Sequence, residues 1–201
     1  MPNPTGLLTF LMTDVEGSTR LWEEAPNEMA VAMRLHDSLS QTIVEAHRGR
    51  VIKERGEGDA LFCVFDLASD AVRASIELQK ALASSDWPTP RPIRVRMALH
   101  MGEAENRAGD FYGPVINRCA RLRGIGYGEQ IIVSEAVALT APGFKWLDLG
   151  SHRLKDLSTP EHVFQVLEAG IPTDFPALLS LGNSPNNLPE HASSFIGRER
   201  E

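Results

Sequence analysis

The segment Leu7-Leu8-Thr9-Phe10-Leu11-Met12-Thr13-Asp14 gives the clearest indication of how this chain folds. A run of apolar or strand-forming residues stops abruptly at an aspartate. A short apolar run bounded by polar residues predicts a buried strand. An acidic residue at the end of such a strand is most often a cap or turn residue, and a functional role is the less common alternative.

Helix-like and strand-like patterns alternate along the rest of the chain. Apolar residues at helical spacing predict helices over residues 29–46, 68–83, 115–123 and 135–140. Short or alternating apolar runs predict further strands over residues 50–54, 60–65, 93–100, 130–133, 144–149 and 162–168. This order is typical of an α+β or α/β sheet with helices covering one face.

The composition excludes several classes of protein. The chain has 201 residues, 42% of them hydrophobic, and a net charge of −7. This acidity disfavours nucleic-acid binding, and the arginines of residues 91–96 are more simply explained as a solvated strand face. No apolar run reaches the roughly 18 residues that span a bilayer, and the N-terminus lacks the basic start of a signal peptide. Cys63 and Cys119 fit buried apolar positions better than a disulfide or metal pair. We therefore expect a cytoplasmic protein.

A few polar residues, each weak as a signal alone, suggest phosphate chemistry when they are combined. Asp14 and Asp59, at the ends of adjacent strands, would hold two Mg²⁺ ions, with the main-chain carbonyl of Val15 as a further ligand. Asn117 and Arg121 are four residues apart and share one helix face, which is more often simply a solvated face. The planar fork of an arginine suits a charged phosphate, and a lysine binds phosphate as a point charge.

Five segments, in this order, resemble the catalytic domain of class III adenylate and guanylate cyclases. They are Phe10-Leu11-Met12-Thr13-Asp14-Val15-Glu16-Gly17-Ser18-Thr19, Gly58-Asp59, Tyr112-Gly113-Pro114-Val115-Ile116-Asn117-Arg118-Cys119-Ala120-Arg121-Leu122, Gly128-Glu129-Gln130-Ile131-Ile132-Val133-Ser134 and Leu154-Lys155-Asp156-Leu157. The resemblance runs from about Leu7 to Leu167. It implies an α+β fold of the ferredoxin-like cyclase type, with a central, mostly antiparallel sheet and helices packed on it.

The resemblance also implies a reaction and an assembly. A purine triphosphate is converted to a 3′,5′-cyclic monophosphate and diphosphate, with two Mg²⁺ or Mn²⁺ ions at each site. Asp14, Asp59 and the carbonyl of Val15 would bind these ions. The active site is shared across a head-to-tail homodimer, so that the metal-binding carboxylates of one chain meet the substrate-binding residues of the other.

Five residues are implied as substrate ligands. Asn117 would orient the ribose, Arg121 would stabilise the α-phosphate in the transition state, and Lys155 would bind the β- and γ-phosphates. Arg55 and Asp110 occupy the two purine-reading positions. Adenylate cyclases usually carry Lys and Asp there, so Asp110 favours ATP, whereas Arg55 departs from the pattern and leaves GTP as the alternative.

Two further expectations concern activity and domain organisation. The Gly56-Glu57-Gly58 turn resembles bacterial cyclase-like domains fused to regulators, so the alternative to an active enzyme is a weak or silent nucleotide-binding and dimerisation module. We expect a cyclase domain over residues 1–169, with a linker and the start of a truncated P-loop ATPase module over residues 170–201. The Phe195-Ile196-Gly197-Arg198-Glu199-Arg200-Glu201 segment resembles the entry to such an ATPase, which suggests a downstream ATPase and DNA-binding region in a longer protein.

Overall fold

The computed structural model describes residues 6–52 and 59–181 of the chain. The elements follow one another in an order close to the one that the sequence predicts. They are β1 (Leu8–Val15), α1 (Ser18–Glu24), α2 (Pro26–Ala46), β2 (Arg50–Ile52), β3 (Leu61–Phe65), α3 (Ala68–Ala83), β4 (Val95–Gly102), β5 (Glu105–Arg107), β6 (Asp110–Tyr112), α4 (Pro114–Arg123), β7 (Ile131–Ser134), α5 (Glu135–Thr140), β8 (Lys145–His152) and β9 (Glu161–Leu167). No helix in this part of the chain is long and apolar enough to cross a membrane.

Seven strands form one sheet in the order β2-β3-β1-β4-β7-β9-β8. The pairing of β4 with β7 is parallel, and the other pairings of this sheet are antiparallel. Strands β5 and β6 form a separate two-stranded hairpin. The prediction of an α+β fold with a mostly antiparallel sheet is confirmed.

Helices cover both faces of the sheet, so the expectation that they cover one face is wrong. Leu11 packs in the same core cluster as residues of α2 and α3. Its neighbours Phe10 and Met12 point to the opposite face and pack with Cys119 of α4. Successive strand residues point to opposite faces, so a continuous apolar run such as that of β1 indicates a strand buried on both sides.

Two small elements were not predicted from the sequence. Helix α1 begins after Gly17, whose φ of 68° is a left-handed conformation that glycine adopts without a Cβ penalty. Pro26 then starts α2 as a separate helix, because proline is well accommodated at the first helical position. The hairpin of β5 and β6 turns at Gly109 (φ 91°) and leads through Gly113 (φ 141°) into α4.

Both cysteines are free and buried, as the sequence predicts. Desolvation raises the pKa of the Cys63 thiol to about 12, and burial raises that of Cys119 to about 12 as well. Both thiols are therefore protonated at neutral pH and poor nucleophiles.

After β9, residues 171–181 return across the domain without forming a helix or strand. We call them the C-terminal strap. Ile171 joins the core cluster of α2 and α3, and Leu178 is only 3% exposed. The predicted domain boundary at residues 169 and 170 remains a prediction, and residues 182–201 lie outside the described part of the chain.

Candidate active site

Asp14 and Asp59 line one cleft where strand β1 ends and strand β3 begins. Strand β1 pairs antiparallel with β3, with Thr13 opposite Leu61, so the end of β1 meets the start of β3. The cleft has a volume of about 510 Å³ and also contains Val15. Asp14 is buried and Asp59 is half-buried. The fold therefore brings together Asp14, Asp59 and Val15, the three residues that the sequence analysis named as metal ligands.

The donor set of this cleft fits Mg²⁺. Within residues 6–52 and 59–181, no group of three or more His, Cys, Asp or Glu side chains is arranged to hold a metal by itself. Mg²⁺ is typically held by one or two carboxylates, with substrate phosphates and water completing its octahedron. Two carboxylates beside an open cleft match that pattern, whereas a structural zinc site would need four protein ligands.

Arg96 is a residue of this site that the sequence reasoning missed. The register of β1 and β4 places Arg96 opposite Asp14. Its Nε and Nη2 donate to the two carboxylate oxygens of Asp14 at 2.7 and 2.5 Å. Arg96 also lines the cleft, so the expectation that residues 91–96 form a solvated face is wrong at this position. The sequence contains one indication of this role. Arg96 lies between the apolar residues of a predicted strand, and a charged side chain that is partly buried there needs an oppositely charged or hydrogen-bonding partner.

The electrostatics of the cleft are dominated by this pair. Partial burial by itself lowers the pKa of Arg96, but the hydrogen bonds and charge of Asp14 and the charges of Glu16 and Asp59 raise it, and the net shift is upward. Arg123, at the end of α4, approaches Asp14 to 3.5 Å through its Nε and donates through Nη1 to the carbonyl of Thr13 at 3.2 Å. Two guanidinium groups thus compensate the charge of Asp14.

Arg121 and Lys155 lie together at a different place. The Nη2 of Arg121 donates to Asp156 at 2.8 Å, and Lys155 is the chain neighbour of Asp156. Leu122 and Leu154, the neighbours of Arg121 and Lys155, are fully buried in one cluster, which fixes the loop against the helix. All three charged side chains are exposed to solvent.

Helix geometry directs Arg121 away from the cleft of Asp14 and Asp59 in its own chain. Residues two positions apart on an α-helix are separated by about 200° around its axis. Arg123 reaches Asp14, so Arg121 must point to the other side of α4, where it meets Asp156. We call Asp14 and Asp59 the carboxylate half-site, and Asn117, Arg121 and Lys155 the arginine half-site.

Asn117 lies on the same side of α4 as Arg121 and is exposed. It lines a groove of about 190 Å³ between α4 and β3, together with Ala60 and Phe62. The groove opens to solvent beside the start of β3, close in the chain to Asp59. The groove of Asn117 therefore reaches the start of the strand that follows Asp59.

Of the two predicted purine-reading residues, one can be placed. Asp110 is half-buried at the start of β6, and its Oδ1 accepts a hydrogen bond from the N–H of Phe111 at 2.8 Å. Strand β6 runs through Gly113 directly into α4, so Asp110 is held next to the helix that carries Asn117. Arg55 lies outside the described residues.

This arrangement is that of a nucleotidyl cyclase domain. The chain matches the family model described as the adenylate and guanylate cyclase catalytic domain over residues 2–167, and it belongs to that family. The prediction made from the sequence motifs is confirmed at the level of the family.

Individual relatives agree with this membership. An uncharacterized protein of Mycobacterium tuberculosis is 38% identical over 98% of this chain and 69% of its own length. An adenylate cyclase of Neurospora crassa is 29% identical over 83% of this chain, which corresponds to 10% of that much longer protein. A solved structure of an adenylate cyclase from Trypanosoma brucei superposes with a TM-score of 0.80 at 22% identity, covering 89% of this chain and 94% of the other. The structural likeness establishes the fold.

Proposed function

We propose that this chain is a homodimeric adenylate cyclase that converts ATP to 3′,5′-cyclic AMP and diphosphate with two Mg²⁺ or Mn²⁺ ions at each site. The observation that carries this proposal is the separation of the two half-sites. Asp14 and Asp59 share a cleft, whereas Arg121 of the same chain points away from it. A site that needs both groups is completed by a second copy of the chain, placed head to tail.

In the carboxylate half-site, Asp14, Asp59 and the carbonyl of Val15 would hold the metal ions. When bound, such ions would supply positive charge that lowers the pKa of the attacking ribose hydroxyl and neutralises the triphosphate. Arg96 adds a fixed cation in the same cleft, with its Nε and Nη2 held by the carboxylate of Asp14.

In the arginine half-site, Arg121 would donate to the oxygens of the α-phosphate as charge develops on them. Asn117 would hold the ribose, and Lys155 would bind the terminal phosphates as a point charge. Arg121 has to leave Asp156 to do this. Their side chains are 45% and 60% exposed, and ion pairs exposed to this degree contribute only about 0–1 kcal/mol. The exchange of Asp156 for a phosphate therefore costs little free energy.

ATP is the favoured substrate because of Asp110. A carboxylate accepts a hydrogen bond from the exocyclic amine of adenine and repels the carbonyl oxygen of guanine. Arg55 stands where adenylate cyclases usually have lysine, and a guanidinium suits guanine as well as adenine. The relatives named adenylate cyclase support the choice of ATP.

A second candidate function is a catalytically weak nucleotide-binding and dimerisation module within a longer regulator. It is favoured by the contacts of Asp14, because Arg96 and Arg123 compete with a metal ion for this carboxylate. The predicted linker and ATPase start in residues 170–201 fit the same candidate. Titration calorimetry showing triphosphate binding without cyclic product would favour it.

The direct test of the proposal is a cyclase assay with ATP and with GTP, in Mg²⁺ and in Mn²⁺, over a range of protein concentration. We expect cyclic AMP as the main product and a specific activity that rises with concentration, because the site forms only in the dimer. The Asp14→Ala variant is the control. Turnover of neither triphosphate, or equal product from wild type and Asp14→Ala, would reject the enzymatic proposal.

A further inference from the structure

The C-terminal strap is attached to the segments that carry the arginine half-site. The N–H of Leu179 donates to the carbonyl of Ile125, just beyond α4, at 3.0 Å, and the N–H of Leu181 donates to the carbonyl of Arg153 at 3.2 Å. Ile125 follows Arg121 by four residues, and Arg153 precedes Lys155 by two. The strap therefore bridges the end of α4 and the loop of Lys155.

Side-chain packing reinforces this bridge. Leu178 is 3% exposed and belongs to the same core cluster as Leu122 and Leu154. These two leucines are the chain neighbours of Arg121 and Lys155. The strap thus supplies part of the core that sets the position of both cations.

Polar contacts fix the strap along its length. The hydroxyl of Ser180 lies 2.9 Å from Nδ1 of the buried His152, at the end of β8. The hydroxyl of Tyr127 donates to the carbonyl of Ala177 at 2.8 Å. The side chain of Leu179, by contrast, is 54% exposed. Leu178 and Ser180 therefore face the domain, whereas the side chain of Leu179 between them faces solvent.

We propose that the strap is a positioning element for the arginine half-site, with Leu178 and Ser180 as the residues through which it acts. This inference rests on the proposed cyclase function. The hydrogen bonds of residues 171–181 given above do not reach Asp14 or Asp59, and the link to the carboxylate half-site is indirect, through Arg123, which lies two residues before Ile125 and contacts Asp14. Loosening the strap should consequently disturb the arginine half-site more than the carboxylate half-site.

The first test does not depend on enzyme activity. Amide hydrogen exchange is compared among the full-length wild type, Leu178→Ala, Ser180→Ala and the matched control Leu179→Ala. We expect exchange in residues 121–126 and 153–157 to accelerate about tenfold or more in Leu178→Ala and in the same direction in Ser180→Ala, with a much smaller change in β1 and β3. Unchanged exchange in these segments, or uniform acceleration across the domain in Ser180→Ala, would overturn the inference. Ser180→Ala keeps the test valid if Leu178→Ala does not fold.

The second test uses the asymmetry of the proposed site. Heterodimers are formed from a chain with Asp59→Ala, which keeps the arginine half-site, and a chain with Arg121→Ala, which keeps the carboxylate half-site. Leu178→Ala in the first chain should lower kcat about tenfold to a hundredfold, since small misplacements of catalytic groups have effects of this size. The same substitution in the second chain should lower the rate much less, because there the strap acts on the intact site only through the contact of Arg123 with Asp14.

Equal losses from both placements would show a merely structural role and would overturn the inference. If the parent heterodimer has no activity, the proposed shared site fails, and the exchange experiment alone decides the role of the strap. The two failures are thereby distinguishable.

Discussion

Asp14→Asn should lower the stability of the metal-free protein, whereas Asp59→Asn should leave it nearly unchanged. Both substitutions remove a predicted metal ligand, but the two carboxylates differ in their contacts. Asp14 accepts two charge-assisted hydrogen bonds from Arg96 and is approached by Arg123. Among the described residues, Asp59 acts on Arg96 through its charge and makes no hydrogen bond.

The size of the difference follows from these contacts. Hydrogen bonds to charged groups contribute about 1.5–3 kcal/mol each to stability. The Arg96 side chain is 23% exposed, so water and the charge of Glu16 compensate part of the loss. We expect Asp14→Asn to lower the free energy of unfolding by about 2–3 kcal/mol, which for a chain of this length is about 4–12 °C in Tm. Asp59→Asn should stay within about 0.5 kcal/mol.

Calorimetry in the presence of EDTA measures the difference directly. Adding Mn²⁺ with a non-hydrolysable triphosphate should then raise the Tm of the wild type and of neither variant, because a ligand stabilises only the state that binds it. A Tm loss in Asp59→Asn as large as that in Asp14→Asn, or a gain in Asp14→Asn, would refute the reasoning.

Further predictions concern the arginine half-site, purine choice and pH. Arg121→Lys should lower kcat about 10²–10³-fold with little change in KM, because a lysine keeps the charge without the planar fork; equal changes in both constants would contradict this. Asp110→Ala should raise the ratio of GTP to ATP in kcat/KM about tenfold or more, measured by competition, and an unchanged ratio would exclude purine reading by Asp110. Burial, and then the charge of Arg118, lower the pKa of His100 to about 4, well below its ordinary 6.5. The unfolded chain therefore binds more protons between about pH 6.5 and 4, and stability falls as the pH drops through that window. His100→Asn should reduce this loss in urea titrations at pH 4.5 and 7, whereas an unchanged acid slope would show that other groups cause it.

Local patterns predicted most of the fold and part of the site. The apolar run before Asp14 and the Gly-bearing turn before Asp59 indicate strand ends, and the pairing of β1 with β3 places those ends side by side. The helix of Asn117 and Arg121 was likewise predicted from its spacing. These features are local in sequence, so no knowledge of the sheet order is needed to find them.

The contacts that depend on how distant segments align in the sheet were not predicted from the sequence. The contact between Arg96 and Asp14 joins residues 82 positions apart, and only the alignment of β4 with β1 brings them together. The position of α4 on the second face depends on the course of the chain after β4. The attachment of the strap escaped notice because its Pro- and Ser-containing sequence resembles a linker, although Leu178 is buried.

The central claim is that each active site takes its carboxylates from one chain and Arg121 from the other. Asp59→Ala and Arg121→Ala chains are each expected to be inactive alone. Mixed and allowed to exchange subunits, they should recover about one quarter of wild-type activity per chain, because half of the dimers are mixed and each mixed dimer has one intact site. Recovery near this level supports the shared site. An inactive mixture, with mixed dimers demonstrated by native mass spectrometry, would contradict it.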